Sequence, residues 1–423
     1  MRYQAVIPAI LAAVTLVVPA WASAADESKP SLPARPSVGD GSRANPLGLT
    51  PEQLADPGRA AQAADWLEAA YAGTRQPEGI RMLIAILRGS QIGPEDGWFG
   101  PAETRFTWPW LAARHGLAPD AAALTRDQFR GPAAGFERLD RDGDGRITPE
   151  DLDWSDRSPY VQQAALVHRL FRRIDAQGDG RLTRPDLEAF FQQAARGNDH
   201  LTSEDLRGAL LGGAPGGFRP GDEPTPAVLI RGLFAGEIGS MNEGPHLDEA
   251  APDFSLKTVD GKDTIHLSKL VGPRPVVLVF GNFTCGPFRS YYPEVDAVAR
   301  RHRDEAAFVM VYVREAHPTD GWRMDSNARV GVAVAQPTTY GERVAACGQF
   351  SRKLQPSIPV VVDELHDPVG NTYSGMPARM YVLDGRGRVA YKGGRGPYGF
   401  RVGEMEQALV MALLERGPAD APR

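Results

Sequence analysis

A buried strand that turns into a helix, with a cysteine at the turn, constrains this chain more than any other segment. The aliphatic run Val276–Phe280 predicts the strand, and apolar residues at helical spacing over Arg289–Arg303 predict the helix. Cys285 then lies at the helix N-terminus, where unpaired backbone N–H groups and the helix dipole favour a thiolate. We therefore expect a redox-active or nucleophilic Cys285 with a lowered pKa; the alternative is a small, inert buried side chain.

Strands alternate with helices from residue 249 to residue 416, which predicts an α/β domain with a parallel or mixed sheet. The predicted strands are Phe254–Leu256, Val276–Phe280, Ala307–Val313 and Pro359–Val362, with a hairpin over Met380–Tyr391; the predicted helices include Arg343–Leu354 and Val402–Leu414. This order resembles the thioredoxin fold, in which a cis-proline at the place of Pro377 faces the catalytic thiol. On physical grounds alone, Pro377 is equally typical of an edge strand or a turn.

Residues 47–210 are expected to form an all-α domain that carries a pair of EF-hands, so that the whole chain is an α+β multidomain protein. Helices are predicted over Ala60–Tyr71, after a break at Pro57, and over Glu78–Leu87. Residues 211–226 are rich in Gly and Pro, which predicts a linker before the second domain.

The first candidate calcium loop spans residues 140–151. Carboxylates at its positions 1, 3 and 5, a glycine at position 6 and an acid at position 12 are the pattern by which EF-hands surround a hard cation. The expected ligands are Asp140, Asp142, Asp144, the carbonyl of Arg146, and Asp151. Asp is shorter than the usual Glu at position 12, which lowers affinity or lets Mg²⁺ compete. An acidic turn between helices is the alternative.

A second candidate loop spans residues 175–186 and has one carboxylate fewer, so weaker calcium binding is expected. Its expected ligands are Asp175, Gln177, Asp179, the carbonyl of Arg181, and Asp186. Ile147 and Leu182, both at position 8, are expected to pair the two loops. Residues 124–128 and 201–205 repeat only the end of the loop pattern, which we interpret as structural remnants.

Residues 1–24 have the apolar core and small-residue cleavage site of a signal peptide, and residues 25–46 have the composition of a flexible linker. We expect an exported protein, periplasmic or extracellular; a membrane anchor formed by an uncleaved N-terminal segment is the alternative. Only two cysteines occur, Cys285 and Cys347, so the choice lies between one bridge and redox chemistry. The net charge of -6 argues against a nucleic-acid partner.

Three segments resemble the iodothyronine deiodinase family, and the likeness covers residues 251–414. They are Phe280–Phe288, Glu315–Trp322 and Gly393–Pro397. Other thiol families fit less well. Phe288 stands where a C-x-x-C motif needs its second cysteine, and Asn282 stands where peroxiredoxins have Thr or Ser.

The resemblance implies that Cys285 takes the place of the family's selenocysteine, which attacks the iodine of an iodinated aromatic. The preceding Thr284 and the loop residues Glu315, His317 and Trp322 join the implied site, where His and Glu hold or protonate the substrate. Cys347 is either a resolving thiol or a buried structural one. A thiol is less nucleophilic than a selenol, so slow turnover is expected.

We therefore expect a calcium-binding, deiodinase-like oxidoreductase that acts on a small-molecule or thiol substrate. An external thiol supplies the electrons, no organic cofactor is needed, and a homodimer is an option. One alternative is a general thiol reductase or peroxidase on the same fold. A non-catalytic, calcium-dependent binding module is the other.

Overall fold

The computed structural model describes residues 47–74, 76–90, 101–212, 222, 224–239 and 242–416. The predicted signal peptide, the linker over residues 25–46 and most of the Gly/Pro linker lie outside these residues. Among the described helices, none combines the length and the apolar character needed to cross a membrane.

A six-stranded mixed sheet forms the centre of the fold, as the alternation of strands and helices predicts. The described strands are β1 Glu103–Thr104, β2 Leu124–Thr125, β3 Arg146–Ile147, β4 Ser255–Lys257, β5 Thr264–His266, β6 Val276–Gly281, β7 Ala307–Tyr312, β8 Val360–Val362, β9 Arg379–Leu383 and β10 Val389–Lys392. The main sheet has the order β1-β10-β9-β6-β7-β8, in which β6, β7 and β8 are parallel and the remaining neighbours are antiparallel.

Helices surround this sheet and also make up most of the N-terminal part. They are α1 Pro51–Leu54, α2 Pro57–Ala70, α3 Glu78–Leu87, α4 Trp108–Arg114, α5 Ala133–Leu139, α6 Pro159–Ile174, α7 Arg184–Ala195, α8 Ser203–Leu211, α9 Pro226–Phe234, α10 Leu267–Leu270, α11 Gly286–Arg301, α12 Asp325–Arg329, α13 Tyr340–Leu354, α14 Pro368–Thr372 and α15 Val402–Glu415. A short 3-10 turn covers Pro149–Leu152.

The strand β6 lies between paired strands on both sides, and its side chains are buried at every position. Tyr292 of α11, Phe350 of α13 and Leu409 of α15 belong to the same apolar core. The element order implied by the resemblance is therefore found: β6-α11-β7, then the hairpin β9-β10, then α15.

The N-terminal half does not form the separate all-α domain that the sequence suggests. Its strand β1 pairs with β10 of the main sheet, and Phe106, Leu111 and Ile147 lie in the same core as β6. A second apolar cluster joins α1, α2 and α3 to α9. Apolar side chains on both sides of the expected linker thus share their cores.

The expected pairing of Ile147 with Leu182 is wrong. In the structure Ile147 pairs with Leu124, so residues 124–125, interpreted as a remnant, supply the strand partner of the first loop. The expected break is found between α1 and α2, but α2 starts at Pro57 instead of near Ala60. Asp56 accepts a hydrogen bond from Arg59 N and caps α2, so Pro57 begins that helix.

Candidate active site

Cys285 is the N-cap residue of α11, as predicted, and Asn282 holds the turn around it. The Asn282 Oδ1 atom accepts hydrogen bonds from Cys285 N (3.0 Å), Ala316 N (3.2 Å) and Thr284 Oγ1 (3.2 Å). Its Nδ2 atom donates to Pro377 O at 3.0 Å. Asn282 therefore ties the thiol turn to the loop after β7 and to the proline loop before β9.

The Cys285 thiol is 2% exposed, and this burial raises its pKa. The Phe288 amide and the guanidinium groups of Arg289 and Arg172 lower the pKa, but burial outweighs them. The prediction of a lowered pKa is therefore wrong, because this helix N-terminus lies inside the core rather than at the surface. The thiol needs a nearby base to react at neutral pH.

Glu315 lies fully buried behind the thiol turn. Its Oε2 atom accepts a hydrogen bond from Thr284 N at 2.8 Å, and its Oε1 atom accepts one from the Tyr312 hydroxyl. Burial raises the pKa of the Glu315 carboxyl group. Both carboxylate oxygens thus accept hydrogen bonds from within the protein, and the substrate contact that the resemblance implies stays a prediction.

His317 is half-buried, and Trp322 holds its ring. The ring centroids are 4.4 Å apart with the planes at 85°, and His317 Nδ1 lies 3.2 Å from Trp322 O. Burial lowers the pKa of His317 to about 3, so the imidazole is neutral near pH 7. A carbonyl only accepts hydrogen bonds, so we assign the proton to Nδ1 and leave Nε2 as an acceptor.

Two buried polar residues that the sequence analysis passed over complete the support of this turn. Arg289 donates to the carbonyl oxygens of Phe283 and Gly178 and, at 2.7 Å, to Asn327 Oδ1. The Asn327 Nδ2 atom in turn donates to Thr284 O at 2.8 Å. Arg289 lies within the first turn of the predicted helix, where a charged residue among buried neighbours is the signal that could have identified it.

A cleft of 1710 Å³ opens in front of the thiol. Cys285, His317, Trp322 and Pro377 all line it, and the peptide bond before Pro377 is cis, as the resemblance implies. Thr284 is buried; its hydroxyl accepts a hydrogen bond from His317 N at 3.0 Å. The structure therefore gathers four of the predicted site residues on one surface and places the others behind it.

Cys347 is fully buried on α13, and it is not among the residues that line the cleft. Both cysteines are free thiols, and burial raises the pKa of Cys347 far above its ordinary value. This burial fits a structural thiol, and the resolving role stays a prediction.

The first candidate calcium loop presents its three leading acids together. One carboxylate oxygen from each of Asp140, Asp142 and Asp144 lies within 4.8 Å of the others, in the only such group of acidic, His or Cys side chains among the described residues. Oxygen ligands in this arrangement suit Ca²⁺. Asp151 is buried, and its oxygens accept hydrogen bonds from Thr148 N (2.8 Å) and Arg141 N (2.9 Å).

The second candidate loop does not bring its acids together in the same way. Asp175 accepts hydrogen bonds from Gly178 N and Gly180 N, and Asp186 accepts one from Thr183 N. Gln177 stands at position 3 and supplies no carboxylate, so this loop has one acid fewer than the first loop. Asp140 of the first loop accepts the same backbone hydrogen bonds, from Gly143 N and Gly145 N, so the two loops differ in the convergence of the three carboxylates.

Comparisons with known proteins match both parts of the chain. The family model described as iodothyronine deiodinase matches residues 229–413, and an EF-hand model matches residues 133–153. The thyroxine 5-deiodinase of Gallus gallus is 29% identical over 219 residues, which are 49% of this chain and 81% of that protein. The type II iodothyronine deiodinase of Sus scrofa is 32% identical over 198 residues, 46% of this chain and 69% of that protein.

Among solved structures, a thiol:disulfide interchange protein of the DsbE type from Chlorobium tepidum aligns with a TM-score of 0.30. The sequences are 20% identical, and the alignment covers 40% of this chain and 99% of that one.

Proposed function

Because this chain belongs to the iodothyronine deiodinase family, we propose that it removes iodine reductively from an aromatic substrate, with Cys285 as the nucleophile. The observation that carries the proposal is the placement of Cys285, the neutral His317 and Pro377 on one cleft, inside the matched residues. Family membership by itself makes the protein an oxidoreductase; the substrate and the roles below are our inference.

In the first step the sulfur of Cys285 bonds to iodine and the carbon–iodine bond breaks. The thiol loses its proton, which ends on the ring carbon that held the iodine, so the carbon is reduced and the sulfur is oxidised to a sulfenyl iodide. A thiol donor then displaces iodide to form a mixed disulfide, and a second donor thiol releases Cys285 as the free thiol.

His317 is the group that moves the proton in this scheme. Its Nε2 atom is free to accept because Nδ1 donates to Trp322 O. The neutral imidazole lines the same cleft as the thiol, takes the thiol proton as sulfur bonds to iodine, and returns it to the ring carbon. With a pKa of about 3, His317 is too weak a base to deprotonate the free thiol, so in this scheme the transfer occurs only as the sulfur–iodine bond forms. Glu315 and Asn282 hold the thiol turn in place and exchange no proton with the substrate.

The EF-hand match leads us to propose one Ca²⁺ site at Asp140, Asp142 and Asp144. This site packs into the same core as the sheet through Ile147. We therefore propose that calcium stabilises the packing of the N-terminal half on the sheet and takes no part in the reaction at Cys285.

Iodide release from thyroxine, with dithiothreitol as the donor, tests the proposed reaction. The experiment uses the full chain and three forms of it: unmodified, Cys285→Ser and Cys347→Ser. We expect slow iodide release from the unmodified chain and from Cys347→Ser, and none above background from Cys285→Ser.

A parallel assay with cumene hydroperoxide separates the alternative chemistry. Hydroperoxide reduction that needs Cys285, without any iodide release from thyroxine or a simpler aryl iodide, would replace our proposal with a thiol peroxidase. Equal iodide release by the unmodified chain and Cys285→Ser would remove the thiol from the reaction.

A further inference from the structure

The cleft in front of Cys285 has a wall that the matched family region does not supply. Helix α6 (Pro159–Ile174) lines the cleft across from the N-terminus of α11, and it precedes the family match, which begins at residue 229. His168 of α6 stacks on Tyr291 of α11 with ring centroids 3.6 Å apart and planes at 1°. This stack fixes α6 beside the thiol.

Arg172 lies one helical turn after His168 and points to the start of α11. A Cβ atom built on Gly286 would lie 3.3 Å from Arg172 Nη2 and 3.7 Å from Arg289 Nη2. The two guanidinium groups thus flank the residue that follows Cys285. They differ in their partners, since Arg289 donates to Phe283 O, Gly178 O and Asn327 Oδ1.

No described residue accepts a hydrogen bond from the guanidinium of Arg172. Burial lowers its pKa, and among the nearby charged groups Cys285 has the largest opposing effect, ahead of Asp222. The Asp222 carboxylate itself accepts a hydrogen bond from Ser326 N at 3.1 Å and lies 3.7 Å from Arg329 Nη2. The Arg172 guanidinium is largely desolvated and has no anionic partner among the described residues. Its N–H donors are therefore available to bind an anionic ligand group.

Aromatic side chains line the cleft together with this open donor group. Tyr291, Tyr398 and Trp322 line the same cleft, together with the neutral His168, whose Nε2 atom has no hydrogen-bond partner among the described residues. Flat apolar walls with one planar cation suit a flat ligand that carries a planar anion.

We propose that Arg172 binds the carboxylate of an aromatic substrate beside Cys285, so that the N-terminal half determines the substrate specificity of the thiol. The inference rests on the proposed function for the identity of the reacting ring, but anion binding at Arg172 is measurable without any turnover. The substrate class is an aromatic carboxylic acid rather than a neutral or cationic aromatic.

Binding of a matched pair of probes tests the proposal by isothermal titration calorimetry. The probes are 3-iodobenzoate and the neutral 3-iodobenzamide, on the full chain with and without Arg172→Gln. We expect Arg172→Gln to weaken 3-iodobenzoate binding about tenfold, the loss of one charge-assisted contact, and to leave 3-iodobenzamide binding unchanged. Arg172→Lys should restore part of the affinity for the acid.

Arg157→Gln is the control, because Arg157 is an exposed arginine just before the same helix, does not line the cleft and gives an equal charge change. A second measurement compares the alkylation of Cys285 by iodoacetate and by iodoacetamide in a Cys347→Ser background. We expect Arg172→Gln to lower the iodoacetate-to-iodoacetamide rate ratio about tenfold. An unchanged ratio, or equal slowing with both reagents, would overturn the proposal, whether or not the protein releases iodide.

Discussion

The Glu78 carboxylate accepts two hydrogen bonds from Arg395, 3.2 Å from Nε and 2.9 Å from Nη2. Arg379 donates to the same carboxylate at 2.9 and 2.7 Å, and all three side chains are buried. Arg395 also donates to Met376 O and Ser374 Oγ, both at 2.7 Å. The arginine of the Gly-Gly-Arg-Gly-Pro segment therefore joins the N-terminal helix α3 to the proline loop of the active site.

Glu78→Gln should destabilise the protein strongly. The substitution removes the carboxylate that faces the buried guanidinium groups of Arg379 and Arg395, and breaking a buried pair in this way costs about 3–5 kcal/mol of unfolding free energy. Urea unfolding at pH 7 measures the loss. Glu52→Gln is the control, since the Glu52–Arg231 pair is exposed to solvent and its loss should change the unfolding free energy little. Equal small effects of both changes would contradict the role given to Glu78.

The stability of this cluster should also depend on pH. The two arginines hold the pKa of Glu78 well below its ordinary value despite burial. A carboxyl group with a lowered folded pKa stabilises the folded state above its unfolded pKa of about 4.3, and the contribution is lost as pH falls. Between pH 6 and pH 3 the unmodified chain should therefore lose more unfolding free energy than Glu78→Gln does. Parallel losses would contradict this.

Alkylation of Cys285 should accelerate as pH rises through the alkaline range. Burial raises the pKa of the thiol, so the thiolate fraction grows above the ordinary value of about 8.5. Iodoacetamide alkylation of Cys347→Ser between pH 6 and pH 11 gives the profile. The neutral His317, with a pKa of about 3, should add no step near pH 6.5. An alkylation rate that no longer changes with pH below pH 8 would show that Cys285 is already a thiolate there, which would contradict a raised pKa.

Asn282→Ala should destabilise the thiol turn. It removes the acceptor for the amides of Cys285 and Ala316, and an unsatisfied buried donor costs about 1–3 kcal/mol each. Unfolding in urea should show a loss of about 2–4 kcal/mol of unfolding free energy. This is below the sum for two unsatisfied amides because the turn can relax. Asn198→Ala, on an exposed loop, should change the free energy by less than about 0.5 kcal/mol. A loss no larger than that of the control would show that Asn282 does not hold the turn.

Calcium binding should involve the first loop alone. Asp142→Ala removes one of three converging carboxylates and should weaken Ca²⁺ binding at least about tenfold, while Asp179→Ala should leave it unchanged. Titration calorimetry of the chelator-treated protein measures both. Because a ligand of the folded state stabilises it, added Ca²⁺ should raise the melting temperature of Asp179→Ala but not of Asp142→Ala. A stoichiometry of two, reduced by Asp179→Ala, would assign the second loop as a site.

Local patterns in the sequence predicted most of the C-terminal fold. Val276–Gly281 and Ala307–Tyr312 are continuous apolar runs whose burial leaves few alternatives to central strands, and the helix at Gly286 follows from the turn before it. The position of Cys285 at the helix start was predicted for the same reason. The direction of its pKa shift was not predicted. The burial of a helix terminus depends on elements that are distant in sequence, and hydrophobic periodicity does not indicate them.

The N-terminal half was harder to predict because its contacts are distant in sequence. Glu78 is an ordinary acid in the first turn of a helix, and only the fold reveals two buried arginines around it. Arg172 is the second of three arginines in residues 169–173, a pattern that suggests a solvated surface, although its side chain lines the thiol cleft. When two residues in contact are more than a hundred positions apart, the sequence around each one does not indicate its partner.

The strand β1, only two residues long, has a consequence for any attempt to isolate the catalytic half. It covers the outer side of β10, whose backbone donors and acceptors would otherwise form an open sheet edge. A fragment that begins at residue 249 would expose that edge and would also lack Glu78, leaving two arginines inside the protein without their anion. Such a fragment should aggregate through edge-to-edge association. The C-terminal half is thus not an independent domain. A fusion of this half to another N-terminal sequence would need that sequence to supply a strand that pairs with β10 and an acid that pairs with the two buried arginines.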